Sequence, residues 1–202
     1  RRLICFDNNL SALNVLGLNA LENLEVRNNF LTSLNVSNLA NLQYLYCDNN
    51  QLTVLNIDGL TALIGLSCPN NMLTNLSFPS LLELYFLNFN DNQITGIDVS
   101  TLPNLLILAC ENNLLTNLDV TQTSVQRLFC GANPLLSRIF MKNGHYTDGG
   151  QWYIKINDLP SLEYICVDQD EEVYINDIVN TSGYNNCTVN SYCSFTSGGA
   201  FY

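Results

Sequence analysis

Leu42-Gln43-Tyr44-Leu45-Tyr46-Cys47-Asp48-Asn49-Asn50-Gln51-Leu52 reads as LxxLxCxxNxL, and the chain says it again and again. Its Asn recurs at Asn8, Asn29, Asn50, Asn71, Asn92 and Asn113, 21 residues apart, and Asn133 follows after 20 because Val120 to Val125 is one residue short. Self-similarity at this period means stacked units, each burying its apolar side against its neighbours. A second half-repeat shares the rhythm: Leu31-Thr-Ser-Leu34-Asn-Val36, Leu52-Thr-Val-Leu55-Asn-Ile57, Leu115-Thr-Asn-Leu118-Asp-Val120. Leu-x-Leu and Leu-x-Val have period 2, as short strands with one buried side require. No interval between copies accommodates a helix of ordinary length.

The pattern predicts a β-rich, flat, right-handed solenoid with a parallel sheet on its main face and a short β ladder opposite. Eight coils at strand spacing make a stack of about 40 Å. Residues 1–135 carry the regular copies, 136–193 hold divergent last repeats and a C-terminal α/β cap, and 194–202 form a tail. Residues 136–141 read as one more half-repeat. His145 to Trp152 read as an inserted turn that returns as a strand through Trp152, Ile154 and Ile156. Leu162-Glu-Tyr-Ile165-Cys-Val167-Asp-Gln-Asp170 reads as a divergent copy with Asp in the Asn slot. Glu171 to Asn180 reads as a helix, with acids at its N-terminus and Val173, Ile175, Ile178 and Val179 on its buried side. That helix and a Cys187–Tyr192 strand would cover the open edge of the last coil.

The Asn column falls at the bend after the strand, where backbone groups lose their ladder partners. A carboxamide donates and accepts, so Asn8, Asn29, Asn50, Asn71, Asn92, Asn113 and Asn133 are expected to be structural, joining coil to coil.

This register and ending resemble the nested bacterial leucine-rich repeats of the IRREKO type, found in surface and secreted proteins of Bacteroidetes. The match covers residues 3–135, and it extends to Ile139-Phe-Met-Lys-Asn-Gly144, Leu159-Pro-Ser-Leu-Glu-Tyr-Ile-Cys-Val-Asp168 and Tyr192-Cys-Ser-Phe-Thr196. The resemblance implies an extracellular or outer-surface location reached by type IX secretion. Arg1 stands directly ahead of a repeat, which reads as the start of a mature or excised fragment.

Eight cysteines in an oxidising location invite disulfides. Cys5, Cys47, Cys68, Cys110 and Cys130 share one inward column with Val26 and Phe89, so they read as apolar packing with free thiols. Parallel side chains at strand spacing are poorly placed for a bridge, and they do not converge as metal ligands must. Cys166, Cys187 and Cys193 lie outside that column. Cys166 alternates with Ile165 and Val167, so it is expected to face outward and to pair with Cys187, with Cys193 left over or pairing in place of one of them.

Composition narrows the function. The net charge is −11, and no Lys or Arg occurs between Arg27 and Arg127. Nucleic acid and anionic bilayers need clustered cations, so both are disfavoured as partners, and no apolar run is long enough to span a membrane. His145, the one histidine, has no nucleophile at fixed spacing. Hydrolase, zincin, phosphate-loop and dinucleotide motifs are missing. Asp168, Asp170 and Glu172 alternate like the start of a calcium loop but lack its Gly, and they read as an acidic helix cap. The sequence therefore predicts no catalytic residues, no metal site and no cofactor.

Variable columns carry what remains. On the second strand the outward positions Asn14, Asn35, Asn56, Ser77, Asp98 and Asp119 are small and polar, a plain solvated wall. On the main sheet the outward positions vary widely, and Phe6, Glu25, Arg27, Tyr44, Tyr46, Asp48, Phe86, Ile107, Glu111, Arg127 and Phe129 are the candidate partner-binding residues. Exposed aromatics among scattered acids suit a protein interface, with Tyr44, Tyr46 and Phe86 as anchors. The expected partner is an extracellular protein, from a host or a neighbouring cell. The alternatives are a carbohydrate-binding module and a spacer within a larger surface protein.

Overall fold

The computed structural model describes residues 1–144 and 153–193. The inserted turn His145–Trp152 and the tail 194–202 lie outside the described residues. Strands of three residues alternate with tight bends: β1 (Arg2–Ile4), β2 (Asn23–Glu25), β3 (Ser33–Asn35), β4 (Tyr44–Tyr46), β5 (Val54–Asn56), β6 (Gly65–Ser67), β7 (Phe86–Asn88), β8 (Ile107–Ala109), β9 (Asn117–Asp119), β10 (Arg127–Phe129), β11 (Arg138–Phe140), β12 (Tyr153–Lys155), β13 (Tyr164–Cys166) and β14 (Thr188–Asn190). One helix, α1 (Glu172–Thr181), follows a 3-10 turn at Gln169–Glu171. The result is a parallel β-solenoid closed by a short α/β cap.

The main sheet has eight strands in the order β1-β2-β4-β6-β7-β8-β10-β12, all parallel. Register is set by the central leucines: Leu24, Leu45, Leu66, Leu87 and Leu108 stand opposite one another and are fully buried. A one-residue slip would turn this whole column to solvent, so the pairing is strongly specified. The cysteine column lies two residues on. Cys47, Cys68, Cys110 and Cys130 are completely buried with free thiols. Burial pushes the Cys130 thiol up to about 12 and also raises Cys110, so these thiols behave as small apolar groups.

Each bend combines two adjacent residues. Asp7, Asn28, Asn49, Asn70, Asp91 and Asn112 adopt left-handed φ between 53° and 55°, a region Asn and Asp enter more readily than other side chains. The next residue is the Asn of the repeat, which turns inward. Asn71 is representative: its Oδ1 accepts from Leu52 N–H at 2.9 Å, and its Nδ2 donates to the carbonyls of Cys47 (3.1 Å), Cys68 (3.0 Å) and Pro69 (3.2 Å). The same set recurs at Asn29, Asn50, Asn92, Asn113 and Asn133. Asn8 is exposed, and its side chain bonds only its own bend, at the carbonyls of Cys5 and Phe6.

The opposite ladder is broken. β3 pairs with β5, and β9, β11, β13 and β14 form a separate sheet. Between them the second half-repeats of two coils pair with nothing as strands. Phe78-Pro79 replaces the usual Val-Ser or Ile-Asp there, and Pro79 brings no N–H to a ladder. Gly96, in the next coil, further weakens strand formation.

Three expectations are corrected at the C-terminal end. The Leu162–Asp170 segment is not a copy of the first half-repeat: Ile165 stands opposite Ile139 in the second ladder. The first half of that coil is β12, paired with β10, where Asp158 repeats the left-handed bend and Leu159 takes the Asn slot. Both half-repeats share the same apolar spacing, so spacing alone could not separate them. Secondly, the disulfide joins Cys166 to Cys193, with Cα atoms 5.0 Å apart, and Cys187 is free. Cys166 stands opposite Asn190, so Cys187 lies three residues up the strand, about 10 Å away and beyond bridging distance. Cys166 projects outward as expected, in the column of Asp119 and Phe140, and the chain after β14 turns back over it and buries it. Thirdly, Ile175 and Val179 are buried as expected of α1, but Val173 is 84% exposed.

The cap also completes the Asn column by other means. The Tyr184 hydroxyl accepts from Leu159 N–H and donates to the Ile156 carbonyl, bonding backbone at the bend where Leu159 cannot.

Candidate functional site

The main sheet's outward columns follow directly from the strand register. One runs Arg2, Asn23, Tyr44, Gly65, Phe86, Ile107, Arg127, Tyr153, and the next Ile4, Glu25, Tyr46, Ser67, Asn88, Ala109, Phe129, Lys155. Tyr44, Tyr46, Phe86, Ile107 and Phe129 are half-buried, while Phe6 and Arg127 are exposed.

At the N-terminal end the tyrosines are held in place. The rings of Tyr44 and Tyr46 lie parallel within 3°, their centroids 6.4 Å apart. Tyr44 leans over Gly65, where an added Cβ would come within 3.1 Å of its ring. The Arg27 guanidinium sits 4.8 Å over the Tyr46 ring, a favourable cation–π position. Further along, Phe129 packs against Tyr153 at 5.3 Å.

Charge on this face is largely cancelled internally. Glu25 is only 6% exposed and bonds Arg2 and Arg27, each at 2.8 Å. Arg2 foremost, with help from Arg27, holds its carboxyl below the usual carboxylate range against the opposing effect of burial. Arg27 Nε stands 4.0 Å from Asp48, and Lys155 pairs with Glu111 at 2.7 Å. Burial raises the Asp48 carboxyl. Glu25 thus serves the face from beneath and cannot itself reach a partner, contrary to its selection from the sequence. Arg2 and Lys155, which complete these pairs, were missed because each precedes or follows the tight repeats.

A further apolar column was missed. Glu22, Gln43, Ile64, Tyr85, Leu106 and Gln126 immediately precede the strands and hydrogen-bond coil to coil through their backbones. In the middle coils this column is apolar, with Tyr85 46% exposed and Ile64 and Leu106 half-buried. Together with Phe86 and Ile107 they make an apolar stretch across the middle coils, ending where Arg127 stands beside Ile107. Its signal was the switch from Glu and Gln to Ile, Tyr and Leu at one position of successive copies.

The opposite wall is solvated but not idle. Asn14, Asn35, Asn56, Asp98 and Asp119 each accept an N–H from two residues ahead, at 2.9–3.1 Å. Ser77 breaks the series where Pro79 offers no N–H to accept. Asp168 N-caps the turn before α1, and its Oδ2 accepts from Asn143 and Gly144 N–H. Among the described residues no group of three or more His, Cys, Asp or Glu is placed to hold a metal ion. Nor is any described helix long and apolar enough to cross a membrane. His145 lies outside the described residues.

Coils of two short strands, an inward Leu framework and an Asn column define a leucine-rich-repeat solenoid. The fold is similar to the functional domain of InlJ from Listeria monocytogenes, whose structure includes a cysteine ladder: 24% identity, TM-score 0.51, 85% of this chain and 50% of that one. It is also similar to a leucine-rich-repeat protein of Leptospira interrogans: 20% identity, TM-score 0.52, 93% of this chain and 59% of that one. The chain therefore spans between half and three fifths of the length of these two. No protein-family model matches it, and no curated protein sequence does.

Proposed function

We propose that this chain is a non-catalytic binding module that holds an extracellular protein against its main sheet. The observation that carries this reading is the contrast between faces. The chain has a net charge of −11, yet the main sheet's acids are matched by Arg2, Arg27 and Lys155. What that face offers is aromatic and aliphatic: Tyr44, Tyr46, Tyr85, Phe86, Ile107 and Phe129. Interfaces draw their affinity from such groups and are depleted in charge at their centre.

A disulfide between Cys166 and Cys193 supports a secreted or surface location, where such bonds persist. The nested 21-residue repeat supports a surface protein of the Bacteroidetes type, exported by type IX secretion. The structural likenesses are in keeping with a repeat surface used for binding and leave the partner's identity to experiment.

The test compares wild type with Phe86→Ala/Ile107→Ala in affinity capture from host serum and from neighbouring cells, followed by binding measurements on the protein recovered. The double variant should lose roughly 2–4 kcal/mol. Ser33→Ala/Asn117→Ala on the opposite wall should bind as wild type does. Because the face is charge-balanced, affinity should change little between low and physiological salt. If the double variant binds as tightly as wild type while the opposite-wall variant fails, the wrong face has been chosen.

A further inference from the structure

Beside the Phe86 and Ile107 patch on the same face, we propose that the groove at the N-terminal end of the main sheet is a subsite for a neutral sugar ring of a glycan. The groove has a volume of about 370 Å³ and is lined by Arg2, Glu22, Asn23, Gln43, Tyr44 and Tyr46. That lies at the low end of the ~300–1,000 Å³ typical of small-ligand sites.

Its chemistry is selective. Among the lining residues, Asn23 Oδ1 is buried with no hydrogen-bond partner. Native proteins leave few such atoms, and one in the wall of a groove calls for a ligand that donates to it. Asn23 Oδ1 calls for a donor, while Gln43 and the tyrosine hydroxyls of the lining can give and take hydrogen bonds, so the ligand must donate and can accept. Hydroxyl groups do both. The parallel Tyr44 and Tyr46 rings ask at the same time for a flat, weakly polar surface, which the C–H face of a pyranose provides. Arg2 is already paired with Glu25, and Glu22 with the amino group of Arg1, so neither a phosphate nor a cationic ligand is favoured. An extended peptide is disfavoured as well, because the groove crosses paired strands and offers it no free edge.

Gly65 belongs to the site indirectly. It leaves the space into which Tyr44 leans, and a methyl group there would displace the ring. Gly65 is thus a positioning residue.

The experiment probes the chain on an array of defined glycans, neutral and acidic, then titrates by calorimetry the soluble form of any neutral oligosaccharide that binds. Wild type should retain neutral, hexose-terminated glycans. Asn23→Ala and Tyr44→Ala should each weaken binding about tenfold or more, the loss expected when a hydrogen bond or a stacking surface is removed. Tyr44→Phe should keep most of the affinity, and Gly65→Ala should lose part of it. Thermal melts matching wild type would show that the variants are folded. Failure of wild type to bind any neutral glycan, or undiminished binding by both Asn23→Ala and Tyr44→Ala, would overturn the proposal. Phe86→Ala/Ile107→Ala separates the two sites: glycan binding should survive it while protein capture is lost. Absent glycan binding with intact protein capture would sink this inference alone.

Discussion

Replacing Asn71 by Ala tests the coil-to-coil role of the Asn column most directly. The carboxamide makes four contacts, but their loss is unequal. Cys47 O also accepts from Asn50 Nδ2, and Cys68 O from Asn92 Nδ2, so both carbonyls keep a partner. Leu52 N–H has only Asn71 Oδ1, and Leu52 is fully buried. One orphaned buried N–H costs about 1–3 kcal/mol, and incomplete filling of the space left by the carboxamide adds to it. A total near 2 kcal/mol would lower the melting temperature by roughly 4–8 °C in a chain of this size. Asn8→Ala is the matched control, since Asn8 is exposed and serves only its own bend; its effect should stay within about 0.5 kcal/mol. Urea denaturation monitored by circular dichroism measures both. Equal midpoints for Asn71→Ala and wild type, or equal losses at Asn8 and Asn71, would refute the argument.

Thiol titration under denaturing, non-reducing conditions should find six reactive groups, since the described structure bonds only Cys166 to Cys193; peptide mapping that instead links Cys166 to Cys187 would contradict the cap. In the native protein Cys47, Cys68, Cys110 and Cys130 should resist labelling, because burial denies access and disfavours the thiolate. Glu171 should oppose stability near neutral pH. Burial pushes its carboxyl up to about 7, while in the unfolded chain it titrates in the ordinary carboxylate range. The folded state therefore holds the proton more tightly, and stability falls as pH rises from that range through about 7. Glu171→Gln should raise the melting temperature at pH 8 and bring little change at pH 4; a variant that is no more stable than wild type at pH 8 would count against it.

How much of this could be read from the sequence depends on which residues repeat. The Leu, Cys and Asn columns recur in register because each coil poses the same packing and backbone problem. Solving it once therefore fixed the main sheet, the inward thiols and the placement of every outward column. Legibility failed where the period failed. Leu162–Val167 satisfies the spacing of either half-repeat, and only the pairing of Ile165 with Ile139 decides between them. Cys193 gave no sign of its partner because the left-handed turn that brings it back over Cys166 has no counterpart in the repeats. The second-strand Asn and Asp residues looked merely solvated. Their bonds run to the backbone two residues ahead, a local role that hydropathy cannot register.

Charge on the main face raises a subtler point. The list of outward residues showed scattered acids, because Glu25, Asp48 and Glu111 stand in it while Arg2 and Lys155, the partners of Glu25 and Glu111, lie just outside the tight repeats. In a solenoid, residues 21 or more apart in sequence are nearest neighbours, so charge must be counted down columns and diagonals rather than along the chain. Counted that way, Arg2, Arg27 and Lys155 neutralise Glu25, Asp48 and Glu111. The acidic surplus is left to the other surfaces, where it keeps the molecule soluble without opposing contact at the sheet. A neutral, aromatic face on a strongly acidic body is a means of orienting encounters. Negatively charged partners meet least repulsion at the main sheet, so an approach by that face costs least, while the charge-balanced contacts of the bound state should change little with salt.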